Sequence, residues 1–223
     1  MRRRADSQAA ARGRMVEDQL RRRGVRDAAV LEAMAAVPRE EFVGRGQAGF
    51  AYDDSALPIA AGQTISQPYV VALMVEALDL RPDDRVLEVG AGSGYAAAVM
   101  SRICRRVHGV ERHAELVESA RAALERLGYD NVELRHADGT LGLPAAAPFD
   151  AILVSAGGPA IPAALRGQLA VGGRLVMPVG SSGQMQRLVR ARRDADDEWR
   201  EDDLGPVAFV PLVGAQGWRD EEG

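Results

Sequence analysis

The sequence predicts an α/β fold: a doubly wound, mostly parallel sheet with an N-terminal helical cap and antiparallel C-terminal strands. Three observations lead there. From residue 68 to about residue 178, short apolar strands alternate with helical segments, the pattern of a parallel sheet covered on both faces. One strand runs straight into a glycine-rich turn and a helix, RVLEVGAGSGY at 85–95, as in ligand-binding α/β units. Beyond residue 180, strand-like segments follow one another with no helix between them, so the sheet is expected to finish antiparallel.

Taken in order, residues 1–13 combine Arg, Ala, Ser and Gly without apolar periodicity and are expected to be a disordered tail. Met15, Val16, Gln19 and Leu20, then Val30, Leu31, Met34 and Val37, recur at helical spacing. Gly24 stops the first short helix and Pro38 follows the second. Residues 44–68 are rich in Gly, Ala, Asp and Pro and unusually long for a plain connection, the length at which loops are often functional. The regular part then reads helix 68–80, strand 85–89, helix 95–103, strand 106–111, helix 113–128, strand 132–135, strand 150–155, helix 161–170 and strand 174–178. Strands at 185–191, 199–204 and 207–210 complete it. The expected division is a single domain over 14–223: cap and active-site loop at 14–67, α/β core at 68–180, C-terminal strands at 181–223.

With 223 residues, 47% of them hydrophobic, the chain can bury one substantial core. Its net charge of −4, with 28 basic residues that are all Arg and in no large cluster, offers no basic field for nucleic acid. The lone Cys104 forms no internal disulfide, which fits a reducing cytoplasm. MRRRADSQAAARGR leads into a charged stretch instead of an apolar signal core, and no apolar run approaches the roughly 20 residues that span a bilayer. His108, His113 and His136 lack metal-ligand spacing. No metal and no membrane are expected, and a monomer is.

Gly90, Gly92 and Gly94 let the chain bend and let its backbone approach a ligand, while the following helix presents unpaired N–H groups. A dinucleotide fingerprint would require a glycine where Tyr95 stands, which argues against a nicotinamide oxidoreductase. Glu111 ends the next strand about 20 residues after the first glycine, where an acid accepts both ribose hydroxyls of an adenosine ligand. Asp138, in HADG at the end of the third strand, could meet the adenine amino group, although Asp-Gly is also an ordinary turn pair. Glu88 either faces a cationic end of the ligand or is a satisfied strand acid.

Ahead of the sheet, LPIAAGQTISQPYVVALM (57–74) sets Gln63, Thr64, Ser66 and Gln67 between apolar flanks. This segment, followed by the Glu-x-Gly-x-Gly-Ser-Gly-Tyr turn, resembles the protein-L-isoaspartate O-methyltransferase family. The resemblance extends through VPREEFV, AYDDSALPI, LGYDNVELRHADG, PFDAILVSA, GGRLVMPVG and FVPLVG. It implies the sheet of S-adenosylmethionine-dependent methyltransferases, with S-adenosyl-L-homocysteine as product, and transfer of a methyl group to the free α-carboxylate of L-isoaspartyl residues in damaged proteins and peptides. Ser66 matches the active-site serine. Thr64 and Ile65 match neighbouring cofactor and substrate contacts. Gly90, Gly92, Ser93, Gly94, Glu111, Asp138 and Gly139 match the cofactor site, and Val210, Leu212 and Val213 the segment that holds substrate backbone. Ala91 stands where Thr is usual, and Ala60-Ala61 replaces a commoner glycine-containing pair.

An isoaspartyl α-carboxylate, with a pKa near the roughly 3.5 of free α-carboxyls, is already a nucleophile at neutral pH, so positioning can supply the catalysis without a general base. Ser66 is then a donor that aims it; the competing reading is an N-cap serine ahead of Pro68. Two other functions stay open: a carboxylate methyltransferase dedicated to one peptide in natural-product maturation, whose members carry a further C-terminal domain, and a non-catalytic cofactor-binding module.

Overall fold

The computed structural model describes residues 2–219 apart from Ser182 and Asp197. Helix α1 (Arg2–Arg14) continues into a π-helical turn (Met15–Leu20) and a short 3-10 turn (Arg21–Arg23), which Gly24 ends at φ 103°. Residues 2–13 are thus helical where the sequence suggests a disordered tail. Alanine-rich, arginine-rich stretches have good helix propensity, and tertiary contacts hold this one: Gln8 Nε2 donates to Ala48 O at 3.0 Å and Arg12 to the Tyr52 hydroxyl at 3.2 Å. Helix α2 (Ala28–Ala36) is capped by Asp27, whose side chain accepts from Val30 N.

The irregular 44–68 stretch contains a miniature hairpin. Strand β1 (Leu57–Pro58) pairs antiparallel with β2 (Thr64–Ile65) around a turn at Ala60–Gly62. Helix α3 (Pro68–Ala77) follows at once, with proline at its first position, where a missing N–H costs nothing. Then come β3 (Arg85–Val89), α4 (Tyr95–Ser101), β4 (Arg106–Glu111), α5 (Ala114–Arg126), β5 (Val132–His136), β6 (Phe149–Val154), α6 (Ala163–Gln168), β7 (Leu169–Val179), β8 (Gln186–Arg193) and β9 (Trp199–Val207).

These seven longer strands form one sheet in the order β5-β4-β3-β6-β7-β8-β9, parallel from β5 to β7 and antiparallel from β7 to β9. Strand order reverses between β3 and β6, and ligands of open α/β sheets bind beyond the carboxyl ends of the strands at such a switch point. Successive strand residues serve opposite faces. Val86, Ala151 and Leu153 join the core shared with α2, α3, α4 and α5, while Leu87, Val89, Ile152 and Val154 join the one shared with α6.

Two expectations are corrected. The strand expected at 174–178 is longer at its start: β7 begins at Leu169, where a helix to 170 is expected, and takes in Gly172 (φ 78°) and Gly173. Likewise 199–204 and 207–210 are not two strands, since β9 runs unbroken through Gly205 and Pro206. An edge strand has one unpaired side and tolerates both residues. Residues 208–210 leave the sheet, and the chain crosses to the loop after β6, where Gly157 N donates to Val210 O and Leu212 N to Gly157 O, both at 2.8 Å.

Candidate active site

At the end of β3 the chain turns through Gly90, Gly92 and Gly94, with φ of 77°, 53° and 83°. Gly94 is the residue before α4, and a Cβ there would lie 3.3 Å from both Ala120 and Leu124 of α5. It therefore sets helix packing as well as the turn. The backbone N–H groups of Gly90 and Ala91 both donate to Val110 O of β4, at 2.8 and 3.2 Å, which ties the turn to the neighbouring strand.

Glu111 ends β4 and is 5% exposed; one carboxylate oxygen accepts Gly92 N at 3.0 Å and the other His113 N at 2.9 Å. The carboxylate is held by two backbone N–H groups, and each oxygen keeps a lone pair for a ligand hydroxyl. Beside it lies a cavity of about 360 Å³, bounded by Gly90 and Gly92, Glu111, Gly139, Ser155 and Val210–Val213. A volume of this order suits a small-molecule cofactor.

Asp138 is placed differently from the expectation. Its carboxylate is not on the cavity wall; it accepts from Thr140 N (2.9 Å), the Thr140 hydroxyl (2.7 Å) and Ala215 N (2.8 Å). Partial burial pushes its carboxyl up, but the Ala215 and Thr140 donors and the Arg112 charge outweigh that and leave it below the usual aspartate range. Asp138 pins the C-terminal segment 210–215 over the cavity, and its neighbour Gly139 supplies the wall.

Beneath this cavity is a smaller pocket of about 40 Å³ lined by Thr64, Ile65, Ser66, Glu88, Ser93 and Ser155, among others. Glu88 is 1% exposed; Oε1 accepts from the Ser155 hydroxyl at 3.3 Å, whereas the buried Oε2 has no partner. Burial pushes its carboxyl up to about 8, against a lowering by Ser155 and a further rise from the Glu111 charge. At neutral pH the ligand-free group is therefore protonated, and its unpartnered buried oxygen is costly unless a ligand completes it; a cationic ligand would favour its ionised form.

A third cavity, an open groove of about 410 Å³, runs past Ser66, Gln67 and Tyr69 to Met185, Phe209 and Val210. Thr64 and Ser155 border all three spaces, and Ser66 borders the inner pocket and the groove. The residue before α3 is Gln67, with no side-chain cap, so Ser66 is not the helix cap. Its hydroxyl makes no hydrogen bond among the described residues. Ala61 sits at φ 55°, a left-handed conformation that explains why glycine is favoured in this pair.

The glycine turn, Glu111, Ser66, Thr64, Ile65 and Val210–Val213 are brought together as expected from sequence, although Leu212 and Val213 border the cofactor cavity and only Val210 also reaches the groove. Ser155, Gln63 and His113 join the site unforeseen. A signal for Ser155 was present: PFDAILVSA ends the strand next to β3 at the switch point.

A seven-stranded doubly wound sheet whose first βα turn faces Glu111 at the end of the next strand, beside a cavity of cofactor size, is the architecture of S-adenosylmethionine-dependent methyltransferases. The comparisons narrow the class. The family model for "Protein-L-isoaspartate(D-aspartate) O-methyltransferase (PCMT)" matches residues 11–217. Among relatives, the protein-L-isoaspartate O-methyltransferase of Methylorubrum extorquens is 61% identical over 212 residues, 95% of this chain and 92% of its own. Protein-L-isoaspartate O-methyltransferase 2 of Pelobacter propionicus is 59% identical over 204 residues, covering 92% and 91%. A solved protein-L-isoaspartate O-methyltransferase superposes with TM-score 0.84 at 31% identity, over 92% of this chain and 67% of that one. A Plasmodium falciparum beta-aspartate methyltransferase (PCMT) in complex with S-adenosyl-L-homocysteine gives TM-score 0.77 at 28% identity, covering 91% and 98%. The chain belongs to the protein-L-isoaspartate(D-aspartate) O-methyltransferase family.

Proposed function

We propose that this protein transfers a methyl group from S-adenosylmethionine to the free α-carboxylate of L-isoaspartyl residues in damaged proteins and peptides, with Ser66 aiming the carboxylate. The observation that carries this reading is the placement of the β1–β2 hairpin and the residue after it: Thr64 borders the cofactor cavity, the inner pocket and the open groove, and Ser66 borders the inner pocket and the groove.

Glu111 accepts the ribose hydroxyls, the turn at Gly90–Gly94 carries the amino-acid portion over its backbone, and Glu88 faces the cationic end. Gly139 and the strap at Val210–Val213 would close the cavity, and Asp138 would shape its adenine end by holding that strap. When bound, S-adenosylmethionine supplies a methyl group on a positively charged sulfur and leaves as S-adenosyl-L-homocysteine. The isoaspartyl carboxylate is ionised at neutral pH, so the chain's residues have only to orient it. The Ser66 hydroxyl donates to one carboxylate oxygen, and Thr64 and Ile65 hold the approach. Val210 borders groove and cavity, so it is placed to gauge the extra backbone methylene that distinguishes isoaspartate from aspartate. A backbone amide nitrogen then attacks the ester and expels methanol, closing a succinimide spontaneously, whose hydrolysis restores part of the population to aspartate.

Residues 14–223 act as one methyltransferase domain. The setting is a reducing cytoplasm and the state a monomer; the former is supported by Cys104, a single buried thiol that forms no disulfide. No described helix is long and apolar enough to cross a membrane.

Methyl transfer from labelled S-adenosylmethionine to paired isoaspartyl and aspartyl peptides of one sequence tests the function: the isoaspartyl peptide alone should be labelled. Equal labelling of the pair would refute it. In the same assay Ser66→Ala should lower kcat/KM by about 10- to 100-fold, the worth of a hydrogen bond to a charged group, with cofactor affinity unchanged.

A further inference from the structure

Arg23 supplies the one charged side chain, among the described residues, that lines the open groove beside Ser66. It comes from the N-terminal cap, far from Ser66 in sequence, and is fixed by two contacts. Its guanidinium carbon lies 3.6 Å from the centroid of the Tyr69 ring, and Nη1 pairs with Asp54 Oδ2 at 2.6 Å. Stacking on Tyr69 leaves the plane of the guanidinium free for edge-on bonds, and Asp54 takes only one nitrogen. Nε and Nη2 remain for a second carboxylate, the geometry for which arginine is suited. Asp54 does not line the groove, so the cationic edge is what a bound peptide meets there. Part of the wall, Val70, Leu73, Met185 and Phe209, is apolar and weakens solvent screening of a charge pair formed against it.

Tyr69 is three residues beyond Ser66, so the two lie within about 10 Å along the chain. An extended peptide advances about 3.3 Å per residue. A side chain two or three positions from the isoaspartyl residue therefore comes level with Arg23 when the isoaspartyl carboxylate is at Ser66.

We propose that Arg23, stacked on Tyr69 and anchored by Asp54, forms a subsite that favours substrates with a carboxylate two or three residues from the isoaspartyl position. Arg23 is here a specificity-determining residue and takes no part in methyl transfer, so its effect belongs in KM. The subsite rests on the isoaspartyl reading above.

The test uses amidated isoaspartyl peptides in an alanine background carrying a single Glu, Gln or Lys at each position two or three residues to either side. A parallel set places a free C-terminal carboxylate at the same distances. For the native enzyme, Glu at one of these positions should lower KM about three- to tenfold relative to Gln, with kcat unchanged and the gain reduced by added salt. A gain seen only with the free C-terminus assigns the same subsite to chain ends. Arg23→Gln should abolish the difference while keeping kcat and cofactor affinity, and Asp54→Asn, which releases Arg23 from its partner, should enlarge it. Equal KM for Glu and Gln at every position together with equal KM for free and amidated C-termini in the native enzyme, or a preference that persists in Arg23→Gln, overturns the proposal. The peptide series on native enzyme reads the subsite even if a variant folds poorly. Absence of labelling on every isoaspartyl peptide would instead remove the functional reading itself.

Discussion

Glu88 shows how one buried side chain links stability, pH and ligand. Burial holds its carboxyl near 8 instead of the ordinary 4.5. The unfolded chain releases this proton near the ordinary value and the native protein only near 8, so between the two the native state binds more protons. Stability of the cofactor-free protein therefore declines from this group as pH rises through that window. The cationic end of the cofactor favours the ionised form, so cofactor affinity should rise with pH towards 8. Isothermal titration from pH 6 to 9 should show that rise in the native protein and a flat, weaker profile in Glu88→Gln; an unchanged slope in the variant would separate Glu88 from the ligand. The strand position of Glu88 was legible in RVLEVG, but the lack of a partner for its Oε2 was not, because that depends on which residues of neighbouring elements close over it.

Among elements, the β3 turn and α4 were the most legible, since β3 and β4 have the bounds that apolar patterning assigns and three glycines mark the turn. The tightest constraint is Gly94, which combines φ 83° with two side chains of α5 in close contact. Gly94→Ala should destabilise the protein by about 1–2 kcal/mol from backbone strain alone, and should also weaken cofactor binding by shifting the N–H groups of the turn. Urea unfolding and cofactor titration of the same variant measure the two effects. Stability loss with native affinity would show that the turn absorbs the strain away from the ligand. Short elements were less legible: β1 and β2 have two residues each, too few for any periodicity, and β9 continues through a glycine and a proline because it is an edge.

For the whole molecule, the floor of the sheet is locked by Arg174 of β7. Its guanidinium donates to the backbone oxygens of Leu78, Asp79 and Asp150 and pairs with Asp84 at 2.6 Å, joining the end of α3 and the entry to β3 to two strands. Arg174 and Asp84 are 7% and 6% exposed, so removing one leaves the other's charge buried. Arg174→Met should cost about 3–5 kcal/mol and lower Tm by on the order of 10 °C for a chain of this size. The loss should depend little on salt. A drop of a degree or two would mean that water replaces the lost partner.

The sequence by itself determined the sheet, the strand that enters the glycine turn, the position of Glu111 at the end of the next strand and, through the resemblance of residues 57–74, the reaction. Each is written in local order: hydrophobic period, turn chemistry, or residues adjacent in the chain. Only the tertiary structure decided that residues 2–13 are helical, that Asp138 pins the C-terminal strap, that Ser155 borders all three cavities, and that Arg23 reaches the groove. Those outcomes depend on contacts between distant segments, such as Gln8 with Ala48, Asp138 with Ala215 and Arg23 with Tyr69. Such contacts exist only once the sheet has brought the segments together, and no local pattern encodes them.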